Sequence, residues 1–408
     1  MRPRRTVNAG RRPAGAGTRR VLLVVGRLDP ERDGVGDYVV RLASALRMRG
    51  AATGILHVGA PVAVPGARSV GRSWGPASLL RAVCAARTAD VVHVQFAPSM
   101  YRYRIGIGLL PLVLRRPLVT TLHEYGWWRW ERLLPAALWR PLEALRLADR
   151  ESALLVPRSR RVITTNAAHA ETVRDRFADR ATVDVVPIGA NVTVAGGVDR
   201  NAAREAVRSD LGVDSDAVLL AFFGFVHPVK GVRYLAEAVA ALVEEGRDVH
   251  AVVVGGFESL ALPGQEAADF ERDLRADVAA AGAAERLHIT GFREPEDVSR
   301  LLAAADVGVL PFTHGVTAKS GSLLTLLAHR LPTVVTAGDE PEPELVDGRR
   351  VAVVPEVRDG AALADGLRRV LDDPALAARL AHEGAGWAAT RDWGAIADRH
   401  LAVYEDAR

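Results

Sequence analysis

The stretch Phe222-Phe223-Gly224-Phe225-Val226-His227-Pro228-Val229-Lys230-Gly231-Val232 decides the fold. It reads as the end of a buried strand, a glycine turn and the start of a helix. Gly224 permits close backbone approach, and Pro228 fixes the way into the helix. The same unit recurs outward from it. In this half, strands are expected at Val218–Phe223, Val249–Val254, Leu287–Thr290, Val307–Pro311, Thr333–Thr336 and Val351–Val354. Helices are expected at Lys230–Glu245, Glu266–Ala281, Pro295–Ala304, Gly321–His329 and Ala361–Leu371. The first half repeats the pattern, with strands at Val21–Gly26, Thr53–Val58, Val91–Gln95, Leu118–Leu122, Arg161–Thr164 and Val183–Val186. Its helices are expected at Asp37–Met48, Pro76–Thr88, Gly106–Arg115, Pro135–Leu155 and Ala167–Ala178. Continuous apolar strands alternating with helices, without hairpin signals, predict parallel sheets covered on both faces.

The stretch Pro187–Asp216 has weak periodicity, and the domain boundary is placed near Gly189–Gly197. The expected fold is α/β, with two Rossmann-like, doubly wound domains facing a cleft, over residues 21–188 and 189–385. A helix within 386–408, anchored by Trp387 and Trp393, is expected to cross back onto the first domain. In such sheets ligands bind outside the carboxyl ends of the strands.

The chain has 408 residues, too many for one core and suited to two. Residues 1–20 carry seven arginines and no acid, and are expected to form a disordered basic tail. Without them the body holds 46 basic against 49 acidic residues, which argues against nucleic acid as a partner. The longest apolar run, Ile105–Leu114, is too short to span a bilayer as a helix. It reads as a buried helix, with a peripheral membrane contact as the alternative. Cys84 has no partner for an internal disulfide, and zinc-type Cys/His spacing is absent. The protein is expected in the cytoplasm, without a metal or bound cofactor.

Among 53 lysines and arginines only two are lysine, Lys230 and Lys319, each beside glycine where a helix begins. A helix start offers unpaired N–H groups and positive dipole charge, which suit phosphate. Lysine adds a compact point charge. In Lys319-Ser320-Gly321-Ser322 successive N–H groups can cradle phosphate oxygens. The two segments read as halves of one diphosphate clamp. A well-capped helix at Ser320 or Ser322 is the plainer alternative.

Here the chain resembles the GT-B-fold glycosyltransferases of family 4, from residue 20 almost to its end. Gly34-Val35-Gly36 is similar to the family's glycine loop, and Asp90-Val91-Val92-His93 to its "DVVH" strand. Thr120-Thr121-Leu122-His123-Glu124 matches its "T-x-H-D/E" loop, and Val186-Pro187-Ile188-Gly189-Ala190 its "IPNGVD" stretch. Phe223-Gly224 through Lys230-Gly231 matches "GR…PEKG", and Gly291-Phe292 a later "GF". Ala328–Val335 matches "A-x-G-x-PVV", and Pro343–Gly348 matches "PE-I/L-V-x-DG". The departures are specific. Phe225 stands where the family has arginine, and Thr317 and Thr325 stand where it has paired glutamates.

The resemblance implies transfer of a sugar from a nucleotide-diphosphate sugar to a hydroxyl, with retention and without a metal. It implies a catalytic role for His123 and Lys230. Donor binding falls to Gly34, Gly36, Gly224, Lys230, Lys319, Ser320, Gly321, Ser322 and Thr325. Glu124 would orient an acceptor, a small molecule, glycan or lipid-linked sugar. Four of seven tryptophans, Trp127, Trp128, Trp130 and Trp139, lie just beyond it, among Arg129, Arg132 and Arg140. Trp127 and Trp128 read as an acceptor wall, and a packed helix contact is the alternative. Two other functions stand as alternatives: a non-catalytic GT-B binding protein, which the departures suggest, and a GT-B nucleotide-sugar epimerase, which would need a carboxylate-rich cleft between the domains.

Overall fold

A computed structural model describes residues 19–129, 135–259, 262–339 and 342–408. The first domain runs β1 (Arg20–Arg27), α1 (Gly34–Met48), β2 (Ala52–Val58), β3 (Ala67–Ser69), α2 (Pro76–Ala86), β4 (Val91–Phe96), β5 (Leu118–Leu122), α3 (Ala136–Ala144), α4 (Leu155–Arg158), β6 (Arg161–Thr164), α5 (Ala167–Phe177) and β7 (Val183–Val185). The second runs α6 (Arg200–Leu211), β8 (Val218–Phe223), α7 (Val232–Glu244), β9 (Val249–Val254), α8 (Gly264–Ala280), β10 (Leu287–Gly291), α9 (Pro295–Ala304), β11 (Val307–Leu310), α10 (Gly321–Ala328), β12 (Thr333–Thr336), β13 (Ala352–Val354), α11 (Gly360–Leu371) and α12 (Pro374–Ala389). The last helix is α13 (Trp393–Asp406).

The two sheets share one plan. The first is ordered β3-β2-β1-β4-β5-β6-β7 and the second β10-β9-β8-β11-β12-β13, with every pairing between neighbouring strands parallel. Central strands such as β4 and β9 are buried at every residue, which is why their sequences are unbroken apolar or neutral runs without alternation. In each sheet the strand order reverses beside the first strand, between β1 and β4 and between β8 and β11. Those two switch points open the crevices where ligands lodge in this architecture.

Several elements differ from their expected form. The expected helix Pro135–Leu155 breaks after α3, because Asp149 and Glu151 are buried there and bind Arg176 of α5. The chain turns through Arg146 and Ala153, both at φ 57°. Gly106–Leu112 is a 3-10 helix, with Pro111 inside it. Helix α6 lies within the stretch of weak periodicity. Asp199 caps it, accepting from Asn201 and Ala202 N–H, and Gly212 ends it at φ 66°, so its punctuation was clearer than its apolar face. Residues 374–406 form two helices, joined at Thr390–Asp392. Trp387 of α12 belongs to the second domain's core, while Ile396, Val403 and Tyr404 of α13 belong to the first's. Arg19 and Arg20 are also part of the fold, not of a tail: Arg20 opens β1, and Arg19 donates to the Leu401 carbonyl at 2.9 Å. The remainder of the basic N-terminal stretch lies outside the described residues.

Candidate functional site

The second domain's half of the cleft is built where the loops after β8 and β11 meet. Gly231 sits at φ 67°, and a Cβ there would drive into the Pro311 carbonyl. Gly224 sits at φ 136°, and a Cβ would lie 2.7 Å from Ser322 Oγ. Gly231 thus lets the two loops pack backbone against backbone, and Gly224 leaves room for the Ser322 side chain. That packing sets the short 3-10 turn Pro228–Lys230 beside Phe312, and the Lys230 ammonium lies 3.6 Å from the Phe312 ring centroid. The ring's negative face offsets part of the lost hydration. Desolvation still pushes the Lys230 pKa down to about 8.

Lys319 stands just before α10. Ser320 caps this helix, its hydroxyl accepting from Leu323 N–H at 3.2 Å, and Gly321 and Ser322 in the first turn are half-buried. Burial pulls the Lys319 pKa down, while Glu124 from the first domain and Glu342 from the second push it up. Thr325, expected among the donor-binding residues, is committed to packing instead. It is fully buried, its hydroxyl donates to the Gly321 carbonyl at 2.8 Å and accepts from Val192 N–H at 3.1 Å, so its role is to brace α10. Thr317 is exposed, and its carbonyl accepts from Ser320 N–H.

The first domain presents His123 at the end of β5. The imidazole is nearly buried, with Nε2 2.9 Å from Gln95 Oε1 and its ring edge-on to Tyr38 at 4.8 Å. Burial, with the Lys319 charge second, drives its pKa to about 3, so it is neutral at any ordinary pH. His169, on the first turn of α5, is pushed to about 4 by the same two causes in the same order. The Lys319 charge thus acts across the cleft on His123 and His169, and Glu124 acts back on it. Glu124 is half-buried and accepts from Ser99 Oγ at 3.2 Å.

Gly34 and Gly36 form the first turn of α1, whereas the sequence placed them in the loop before it. Asp33 caps this helix, accepting from Gly36 N–H at 2.6 Å. Burial, with Glu124 and Asp29 adding repulsion, raises the Asp33 pKa to about 6 against the opposing pull of that hydrogen bond. A Cβ at Gly36 would press on the Asp29 backbone at 3.2 Å, while Gly34 faces open space. Trp127 is exposed. Trp128 is half-buried, its ring 5.7 Å from Tyr103, and it packs on the small cluster of Trp139 and Ala153. Trp130 and Arg132 lie outside the described residues.

Polar side chains tie the halves together. Asn191 Nδ2 donates to Asp37 of α1 at 2.7 Å, with its amide oxygen crowding Gly321 of α10, and Arg32 pairs with Glu258 at 3.2 Å. Sequence reading missed Asp33, His169, Asn191 and Glu342, whose carboxylate accepts from Ala318 N–H at 3.0 Å. Only Asp33 carried a local signal, as an N-cap three residues before Gly36.

A cleft between two doubly wound sheets, with cations on one lip and imidazoles on the other, defines a GT-B class of site. A model of glycosyl transferases group 1 matches residues 217–373, and one of glycosyltransferase family 4 matches residues 32–194. The chain is 32% identical to a D-inositol 3-phosphate glycosyltransferase of Arthrobacter, over 74% of this chain and 68% of that one. An alpha-D-kanosaminyltransferase of Streptomyces kanamyceticus is 29% identical over 51% of this chain and 50% of its own length. The matches spread over about half the length of several such relatives. A glycosyltransferase of Rickettsia africae superposes with TM-score 0.73 at 14% identity, covering 96% of this chain and 99% of that one. Anabaena HepE, in complex with UDP and glucose, superposes with TM-score 0.69 at 18% identity, covering 95% and 99%. The chain belongs to the GT-B glycosyltransferases of family 4.

Proposed function

We propose that this protein transfers a glycosyl group from a nucleoside-diphosphate sugar to an acceptor hydroxyl. One observation carries the reading: its two lysines come from adjacent strands at the second sheet's switch point, beside a helix N-terminus, and one of them looks across at His123. Lys230 and Lys319, with the N–H groups at Ser320, Gly321 and Ser322, would hold the diphosphate. Negative charge grows on that group as the glycosidic C–O bond breaks, and fixed donors in a partly dry site stabilise it more than the bound substrate. Gly224 keeps the loop flat enough for that approach. His123, neutral, would meet the donor sugar's hydroxyls near the reacting carbon, and Glu124 would orient the acceptor, with Trp127 forming its outer wall. The likeness to the family supports a retaining outcome, with the two ammonium groups supplying the positive charge. The donor reading also draws on the nucleotide and sugar seen with the Anabaena relative.

Calorimetry with UDP and GDP, on the parent and on Lys230→Ala and Lys319→Ala, tests the clamp. Binding lost in both variants is the expected result; binding unchanged in both ends the proposal. A second reading, binding without transfer, is favoured by Thr325, whose hydroxyl is already committed where the family places a ligand-binding glutamate. It is expected to show nucleoside-diphosphate-sugar binding with neither transfer nor slow donor hydrolysis.

A further inference from the structure

The first domain carries a surface that the transfer reading does not use. Between Asp90 and Glu124 the chain has four arginines, Arg102, Arg104, Arg115 and Arg116, and no acidic residue. All four are exposed. Between them in sequence, the 3-10 helix Gly106–Leu112 and the residue after it leave Leu109, Leu112 and Val113 in water, with Leu112 at 65% exposure. In a three-residue turn side chains three apart eclipse, so burying Ile107 and Leu110 puts Leu109 and Leu112 together on another face, while Val113 lies past the helix end.

The surroundings extend this face. Tyr103 is exposed and meets Trp127, itself 58% exposed, edge-on at 6.1 Å. Gly108 packs against Ala153, which lies under Trp139 of α3, so the 3-10 helix and α3 flank one small cluster. Just beyond Trp139, Leu142, Leu145 and Leu147 are exposed as well. More than half of the exposed large apolar side chains among the described residues fall between Tyr103 and Leu147. Isolated exposed leucines need no explanation, but a concentration that includes an acid-free run carrying four exposed arginines does.

We infer that this face of the first domain docks on an anionic lipid surface. The inference does not rest on the transferase reading. The charge complementarity chooses the occupant: apolar side chains alone would suit many partners, but arginine without intervening acid matches a negatively charged leaflet. Leucine, valine and tryptophan enter the boundary between headgroups and chains, and the arginines lie at the phosphates. No helix among the described residues is long and apolar enough to cross a membrane, so the contact is a peripheral one. Trp127 lies three residues beyond Glu124, which puts the mouth of the cleft beside the membrane. An acceptor anchored in that membrane would reach Glu124 without leaving it.

Co-sedimentation of the full chain with phosphatidylcholine vesicles, with and without phosphatidylglycerol, tests this. The parent is expected to pellet only with phosphatidylglycerol, and less as salt rises. Leu109→Glu with Leu112→Glu should abolish pelleting, and Arg104→Glu with Arg115→Glu should weaken it by at least about fivefold per arginine. All four positions are exposed, and unchanged melting confirms that the variants fold. The arginine-rich N-terminal stretch stays in every variant. If the leucine and arginine variants pellet like the parent, that stretch binds the lipid and the proposal fails. A dimer seen by light scattering, broken by the leucine variant and without vesicle binding, would assign the face to a second copy and also overturn it.

Discussion

The two sheets follow the same strand order to the sixth strand, yet their carboxyl edges carry opposite chemistry. The second offers two ammonium groups, a capped helix start and Gly231 pressed against the Pro311 carbonyl. The first offers Asp29, Asp33 and Glu124, two neutral imidazoles and tyrosine. One topology thus supplies a cationic lip and a lip of carboxylates, neutral imidazoles and tyrosine. The distinction lies in the loops and helix starts that follow the strands, as expected when a rigid scaffold displays function at its strand ends.

The largest way to break this contrast is to remove the cation that defines the second lip. Lys230→Met should cut transfer by roughly 10²–10³-fold, the usual cost of one fixed donor to a departing oxyanion. It should also raise stability at neutral pH by about 1–2 kcal/mol, because a half-dry ammonium is replaced by an apolar chain of similar length. Paired turnover and melting measurements check both directions. Lost activity with lost stability would mean that Lys230 is structural.

The contrast sharpens with pH. Burial holds Lys230 near pKa 8, below the 10.5 of the unfolded chain. Its burial therefore costs stability most fully below pH 8, and that cost fades as pH rises toward 10.5. Ligand binding runs the other way, since a diphosphate needs the charged form. Affinity for UDP or GDP should hold below pH 8 and fall about tenfold per unit above it. Lys230→Arg should remove that fall. Calorimetry across pH 7–10 reads both.

A smaller effect couples the lips. Lys319 lowers both His123 and His169, so Lys319→Ala should raise the titration midpoints of both imidazoles. NMR of the imidazole resonances follows this, and His400, held to about 4 by burial without help from Lys319, is the internal control. Smaller again, Asn191→Ala should cost about 1 kcal/mol by removing its hydrogen bond to Asp37, seen as a lower melting temperature. The least disruptive change is Asp33→Asn. Its side-chain oxygen still caps α1, and the carboxyl whose pKa burial raises to about 6 is gone. Stability above pH 6 should rise by about 1 kcal/mol, with little change below pH 4.

The sheets were plain in the sequence because buried parallel strands leave long apolar runs bounded by glycine or proline. Leu118–Leu122, Val218–Phe223 and Val249–Val254 are found at their expected bounds. The helix break after α3 was illegible, because a buried carboxylate pair satisfied by an arginine on α5 is a tertiary fact. Strand β3 is three residues at a sheet edge and left no pattern. At the site, lysine scarcity drew attention to both cations, but nothing local marked His169 or Glu342. The family's own spacing misled at Thr325, where a shorter side chain turned inward to hold α10. Arg330 shows the converse: it occupies a glycine position of the family and keeps φ 58°.

Helix α13 has a consequence for biosynthesis. It completes the first domain's interior, with Tyr404 fully buried and its hydroxyl 2.7 Å from His93 Nδ1 in β4, and Trp393 donates to the Ala190 carbonyl at 2.9 Å. A ribosome must therefore finish the second domain before the first can close. The half that emerges earliest waits longest for its last helix.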